Sequence, residues 1–229
     1  EEISLRKTEL KALQAQINPH FLYNTLDSIQ WMCEQEKSGD AVKMVSALAK
    51  LFRISISHGW ELIPIADEIN HARSYLLIQS YRYKNQFTYE FDIEEDITGY
   101  YCNKITLQPL IENAVYHGIS MQTQNGSIEL LGYVKNEKII FKVIDNGPGI
   151  EEPYLTDLND YIQGKNEKFK TIGLRNVNRR IQLFYGSQYD VHIESSPPFG
   201  TSVIVVIPAR AYASSLAAGG LAPFAERKM

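Results

Sequence analysis

The sequence predicts a helical unit followed by a mixed α/β unit: a long-helix hairpin that pairs into a dimeric four-helix bundle, and after it strands alternating with helices. Three observations lead there. Apolar residues recur at steps of three and four in the first third of the chain, strict alternation sets in at Phe87, and turn residues separate short apolar runs from there to Pro208. The chain of 229 residues, 44% hydrophobic and 22% charged, has the composition of a globular protein with a packed core.

From Leu5 to about Trp31, Leu10, Leu13, Ile17 and Phe21, then Leu22, Leu26, Ile29 and Cys33, mark a long helix. Asn18-Pro19 interrupts it, because an internal proline removes an amide donor and clashes with the carbonyl four residues back, so a kink is expected near His20. Ser38-Gly39-Asp40 ends the pattern, and a second helix follows with Val42, Val45, Leu48, Ala49 and Phe52, capped by Ser38 or Asp40. Each hairpin carries more apolar surface than it buries alone, and pairing with a second copy covers it. Ile65 to Tyr83 reads as a third helix after Pro64, with Ile69, Tyr75, Leu76 and Gln79 nearly in line.

Phe87 to Ile93 alternates as a half-buried strand does. Leu107 to Ile119 suits a helix with Pro109 in its first turn. Ser127 to Tyr133 and Lys138 to Ile144 are strands joined at Lys135-Asn136-Glu137. A looser polar stretch is expected from Glu151 to Lys170, then a helix from Ile172 to Phe184 ended by Gly186, and a last hairpin pairing Val191 to Glu194 with Val203 to Ile207. The units thus divide as residues 1-85 and 86-208, with 209-229 an Ala/Gly-rich added or disordered tail.

A net charge of -4 gives no positive field to hold a nucleic acid backbone. Cys33 and Cys102 match no metal spacing and support no disulfide framework. No apolar run reaches the ~18 residues that a membrane span needs, and Glu1-Glu2 is not the basic start of a signal peptide.

Asp145-Asn146-Gly147-Pro148-Gly149 directly follows the apolar run Ile139 to Ile144. An acid at the end of a buried strand is costly to desolvate unless it accepts hydrogen bonds, and glycines beside it let a ligand approach the backbone; an adenine amino group suits such an acid, as an ordinary acidic turn suits the same residues. Asn113 and His117 stand four apart on one helix face, where an amide oxygen suits Mg²⁺ and an imidazole can donate to phosphate. Gly173-Leu174-Arg175-Asn176 opens a helix, whose free amides favour anions. His20, Asn24 and Asp27, at i, i+4 and i+7, form a polar stripe beside the apolar one. Imidazole titrates near neutrality and accepts a phosphoryl group when unprotonated. His58, His71 and His192 read as structural or exposed.

Asn113, then Asp145-x-Gly147-x-Gly149, then Gly173 at a helix start and Gly200-Thr201 in a final hairpin resemble, in this order, the N box and glycine boxes of the GHKL ATP-binding superfamily. Gln14 to Leu26 (QAQINPHFLYNTL) resembles the phosphoacceptor box of LytS/YesM-type sensor histidine kinases, and Leu107 to Ala114 (LQPLIENA) their N box. The resemblance runs from about Leu10 to Pro208 and implies a GHKL (Bergerat) α/β sandwich that binds ATP with Mg²⁺, the metal held by Asn113 with Glu112 beside it. Asp145 would read the adenine amino group; His117, Gly147, Gly149, Gly173, Leu174 and Thr201 would line the nucleotide, and a lid would run from about Glu151 to Thr171.

By the same resemblance His20 would be phosphorylated and would pass the group to an aspartate of a response regulator receiver domain, with Asn24 at the position that orients water in dephosphorylation. The sequence departs from the larger kinase families in having Phe21 where an acidic base follows the histidine, so Asp27 or Glu112 is expected to take the proton. Tyr116 stands where many relatives have a lysine, and Thr171-Ile172-Gly173 keeps one of two glycines. The implied protein is a homodimer, the cytoplasmic part of a bacterial membrane protein whose sensor and spans lie upstream, this portion being soluble. Its rivals are a non-kinase GHKL ATPase that opens and closes a dimer, and a degenerate nucleotide-binding signalling module.

Overall fold

The computed structural model describes residues 19–55, 61–84, 86–119, 125–169 and 173–210. The expected helical turns before Pro19, and with them one arm of the kink expected near His20, lie outside them, as do His58 and the tail beyond Arg210. Helix α1 is Pro19–Glu34 and α2 is Ser38–Ser55. They form the expected hairpin, with Phe21, Thr25 and Met32 of α1 and Met44, Ala47, Leu48 and Leu51 of α2 buried. Asp40 stands in the first turn of α2, and its carboxylate accepts from the Tyr81 hydroxyl at 2.8 Å and from Lys43.

A short strand β1 (Leu62–Pro64) leads into α3 (Ile65–Arg82), whose Ile69, Tyr75, Leu76 and Gln79 are all buried. Strand β2 is Phe87–Ile93; a 3-10 turn at Glu95–Gly99 leads to β3 (Tyr101–Asn103), which pairs antiparallel with β1. Helix α4 (Leu107–Asn113) widens at Ala114–Ile119 into a π-type turn, where the sequence predicts one continuous α-helix. Strands β4 (Gly126–Lys135) and β5 (Lys138–Asp145) form a hairpin, followed by helices α5 (Tyr154–Ile162) and α6 (Gly173–Tyr185) and the closing strands β6 (Val191–Ser195) and β7 (Thr201–Pro208).

Five strands make one sheet in the order β2-β4-β5-β7-β6, with β2 parallel to β4 and every other neighbour antiparallel. Asn136 and Glu137 turn the β4–β5 hairpin with φ of 51° and 58°, the pair of positive values that a twist-matched two-residue loop needs. The alternation is borne out in burial: Ile128 and Leu130 of β4 and Ile139, Phe141 and Val143 of β5 face the core, with Glu129, Ile140 and Lys142 between them on the other face. One apolar core runs from Phe21 in α1 through Tyr75, Leu107 and Phe141 to Ile207.

The polar stretch after Gly149 corrects the sequence reading, for it contains α5, whose Tyr161 and Ile162 are buried. Side-chain amides hold this helix to the sheet edge. Asn159 donates to the Ile193 carbonyl and accepts from its amide, both at 2.8 Å, and Gln163 donates to the Val191 carbonyl at 2.9 Å. Asn178 of α6 adds an acceptor for the Val191 amide at 2.8 Å and donates to the Ile162 carbonyl. The edge strand β6 thus finds, in three amide side chains, hydrogen-bond partners that a further strand would otherwise supply. Beyond α5, Asn166 donates to the Asp157 carbonyl, and Phe169 packs edge-on against Tyr154 and Tyr161. The expected lid is therefore folded onto the sheet as far as Phe169, and Thr171 lies outside the described residues.

Helix α3 is bonded into the second half of the chain through Glu68, a fully buried carboxylate that accepts from the amides of Ile105 at 2.9 Å and of Thr106 and Leu107 at 2.7 Å. Ile105 has φ of +56°, an unfavourable region for a β-branched residue, and is pinned on both sides, its amide by Glu68 and its carbonyl by Arg180 at 2.9 Å. Burial pushes the Glu68 carboxyl up, while the three amides and the Arg180 charge pull it down.

His71, also on α3, is fully buried, with Ser55 Oγ 3.3 Å from Nε2. Burial lowers its pKa to about 4. Because the folded value lies below the ordinary 6.5, the neutral ring contributes stability above pH 6.5 that is lost as the pH falls towards 4, up to about 3 kcal/mol. The urea midpoint of the wild type should therefore fall more steeply between pH 6.5 and 4 than that of a His71→Gln variant; parallel curves would show that His71 does not titrate on unfolding.

Candidate nucleotide and phosphoacceptor site

Asp145 is the last residue of β5 and is 2% exposed. Central in the sheet, β5 ends where β7 begins, so Asp145 is opposite Thr201. Its Oδ1 accepts from the Gly147 amide at 2.8 Å, and the Thr201 amide donates to the same carboxylate. Burial raises its pKa; those two amides and the nearby His117 lower it.

Glycines enclose this carboxylate. A Cβ on Gly118 would lie 2.6 Å from Oδ1, one on Gly147 would lie 2.7 Å from it, and one on Gly200 would lie 1.9 Å from the Asp145 carbonyl oxygen. Gly149, with φ of +78°, carries the chain past Pro197, whose Cα would be 2.9 Å from an added Cβ. Side chains at 118 and 147 would therefore press on the Asp145 carboxylate, and glycine lets backbone approach it closely. A buried carboxylate flanked by backbone is an acceptor that suits the exocyclic amine of a flat base. Gly118 escaped the sequence reading. Its signal is a glycine inside a predicted helix, which often marks close backbone approach.

Half-buried Asn113 closes α4, and the π-type turn after it carries exposed His117 and buried Gly118 to Asp145. The widening replaces the regular four-residue step on which a shared face for Asn113 and His117 was expected. Glu112, one residue earlier, accepts from Gln108 at 2.8 Å, and burial raises its pKa. The amide oxygen of Asn113 and the carboxylate of Glu112 are hard oxygen donors of the kind Mg²⁺ takes beside phosphate. Among the described residues no group of three or more His, Cys, Asp or Glu side chains could cage a metal by itself.

Helix α6 begins at exposed Gly173, where a Cβ would be 3.7 Å from Pro109 of α4, so its amino terminus opens beside the N-box helix. Leu174 is buried and anchors that first turn, while Arg175 pairs with Glu167 at 2.6 Å and lies over the Tyr161 ring. Thr201 is buried, its hydroxyl 3.2 Å from Ser195 Oγ.

His20 is exposed in the first turn of α1, with the Asn24 carboxamide nitrogen 3.2 Å from Nε2 and 3.3 Å from Nδ1. Asp27 is exposed on the same helix. Phe21, the next residue after His20, is buried and stacks on Tyr75, with ring centroids 5.4 Å apart and planes at 18°. The Glu112 carboxylate acts electrostatically on Tyr75 in turn.

Residues 8–87 match the family model described as histidine kinase, and residues 103–211 match that of the histidine kinase-, DNA gyrase B- and HSP90-like ATPases. Sensor histidine kinase YesM of Bacillus subtilis is 35% identical over 91% of this chain and 35% of its own length. Sensor protein LytS of Bacillus anthracis is 33% identical over 89% of this chain and 34% of its own length, and sensor histidine kinase BtsS of Escherichia coli is 27% identical over 90% and 34%. The chain thus spans about one third of the curated relatives it matches. The catalytic domain of the histidine kinase ThkA superposes with a TM-score of 0.50 at 20% identity, covering 66% of this chain and 96% of that domain, which shows the shared fold. With a histidine kinase segment and a GHKL ATPase segment matched in order, and the α + α/β architecture to go with them, the chain belongs to the sensor histidine kinase family of YesM and LytS.

Proposed function

We propose that this chain is the kinase core of a two-component sensor, a protein-histidine kinase that uses ATP to phosphorylate His20 and passes the group to an aspartate of a response regulator receiver domain. The glycine-walled cradle around buried Asp145 carries the reading. Asp145 accepts the adenine amino group, with Gly147, Gly149 and Thr201 beside the base. Asn113 holds Mg²⁺ with Glu112 next to it, His117 donates to phosphate, and the amides at Gly173 and Leu174 face the phosphate chain at the start of α6. Mg²⁺, when bound, neutralises charge on the phosphate oxygens.

A neutral imidazole nitrogen of His20 bonds to the terminal phosphorus of ATP as the bond to the bridging oxygen breaks, ADP leaves, and the ring proton passes to a base. Glu112 suits that role better than Asp27, because burial raises its proton affinity while Asp27 stands in water. Asn24, within hydrogen-bond reach of the imidazole, fixes the ring and is placed to orient water in the reverse hydrolysis of the regulator.

Tyr23, Leu26 and Trp31 of α1 and Val42 and Val45 of α2 are exposed apolar side chains on the hairpin. A second copy covers them best, as a four-helix bundle, which supports a homodimer. No helix among the described residues is long and apolar enough to cross a membrane. We assign the chain to the cytoplasmic side of a bacterial membrane sensor, with the membrane reached through other segments and no nucleic acid partner. Incubated with γ-labelled ATP and Mg²⁺, the protein should acquire label that is stable in base and labile in acid; steady ATP hydrolysis without a phosphoprotein would instead identify a non-kinase GHKL ATPase.

A further inference from the structure

At one end of the sheet, Asp145 closing β5, Thr201 opening β7 and Ser195 closing β6 stand in one cross-strand row. Directly paired residues turn their side chains to the same face, so the row sets two hydroxyls beside the buried carboxylate. Thr201 is buried with it, and Ser195 is half-buried. Ser195 Oγ accepts from the Ile150 amide at 2.8 Å, donates to the Gly200 carbonyl at 2.8 Å and lies 3.2 Å from the Thr201 hydroxyl. A serine hydroxyl has a single proton, and a carbonyl oxygen only accepts. The Ser195 proton is therefore spent on Gly200, and the contact with Thr201 is made by the proton of Thr201. Turned this way, the Thr201 hydroxyl offers only lone pairs to a ligand beside Asp145. The same bonds tie together the backbone that passes the carboxylate: Ile150 follows Gly149, and a Cβ on Gly200 would be 1.9 Å from the Asp145 carbonyl oxygen.

We propose that Ser195 is a positioning residue that sets the base selectivity of the nucleotide site, by fixing the Thr201 hydroxyl as an acceptor next to the Asp145 carboxylate. Neighbouring acceptors suit an exocyclic amine, which has two N–H groups, and oppose a ring carbonyl, which would bring a further acceptor against them. Adenine carries that amine, and guanine has a carbonyl in its place. The proposal rests on the nucleotide reading above and adds to it a residue that acts on the base only through Thr201. Alanine at 195 releases the Thr201 proton, which then turns to a guanine carbonyl.

The experiment titrates the wild type, Ser195→Ala, Ser195→Thr, Thr201→Val and the Ser195→Ala/Thr201→Val double variant with the non-hydrolysable imido analogues of ATP and GTP and Mg²⁺, with a thermal melt of each. Ser195→Ala should lower the ratio of adenine to guanine affinity about tenfold, the effect of one misdirected hydrogen bond. Ser195→Thr, which keeps the hydroxyl, should hold the ratio within about twofold. Thr201→Val should lower the ratio as well, and in that background Ser195→Ala should change it no further, because no hydroxyl is left to orient. An unchanged ratio in Ser195→Ala, even with both affinities and the melting temperature reduced, would overturn the role of Ser195 and leave the nucleotide reading intact. A wild-type ratio in Thr201→Val overturns it too, whether or not Ser195→Ala folds. Failure of the wild type to bind either analogue overturns both readings.

Discussion

Replacing Asp145 by asparagine is expected to weaken ATP binding by about 100-fold, close to 3 kcal/mol, with the fold retained. The carboxylate is an acceptor on every side, and it is already committed to the backbone amides of Gly147 and Thr201. A carboxamide must turn its oxygen to those amides and so present N–H groups to the adenine amino group, or do the reverse and face two amides with donors. Either choice leaves a buried donor without an acceptor. Gly118→Ala should act in the same direction by a different route, since its Cβ would lie 2.6 Å from Oδ1 and must displace the carboxylate. Isothermal titration with a non-hydrolysable ATP analogue reads both; wild-type affinity in Asp145→Asn would remove Asp145 from base recognition.

Removing the carboxylate of Glu68 should cost more in stability than any surface change. Glu68→Ala leaves the amides of Ile105, Thr106 and Leu107 without their acceptor, two of them on buried residues, and strips Arg180 of its nearby counter-charge. At about 1–3 kcal/mol for each unsatisfied buried group, a loss of at least 3 kcal/mol follows, or roughly 6–12 °C in melting temperature for a chain of this size. Glu68→Gln should fall between, because its single carbonyl oxygen can still accept. The strained φ of Ile105 sharpens the expectation: the backbone before the N-box helix keeps that conformation only while both of its polar groups are held. A Glu68→Ala protein within about 1 kcal/mol of the wild type in urea would show that water replaces the carboxylate at no cost.

What could be read from the sequence was what is local. Period two in Phe87–Ile93 and in the β4–β5 hairpin survives into the sheet because one face of each strand is buried. The Asp145 motif and the His20 stripe were legible because their residues are near neighbours along the chain. Helix α5 is hidden in the sequence although Leu155, Leu158 and Ile162 keep helical spacing; Asp157, Asn159 and Asp160 among them suggest a loop, and its anchors, Asn159 on Ile193 and Gln163 on Val191, join residues 34 and 28 apart. Glu68 and Gly118 were unreadable for the same reason. A glutamate on a helix looks solvated until its partners 37 to 39 residues away are known, and the need for glycine at 118 comes from a carboxylate at the end of β5.

The most direct test locates the phosphate. After reaction with γ-labelled ATP and Mg²⁺ and digestion at neutral to basic pH, label should be found on the peptide that contains His20, acid-labile, and absent from a His20→Gln protein that still binds nucleotide as the wild type does. Persistent labelling of His20→Gln, or label on another residue, would contradict the assignment of His20 as the phosphoacceptor.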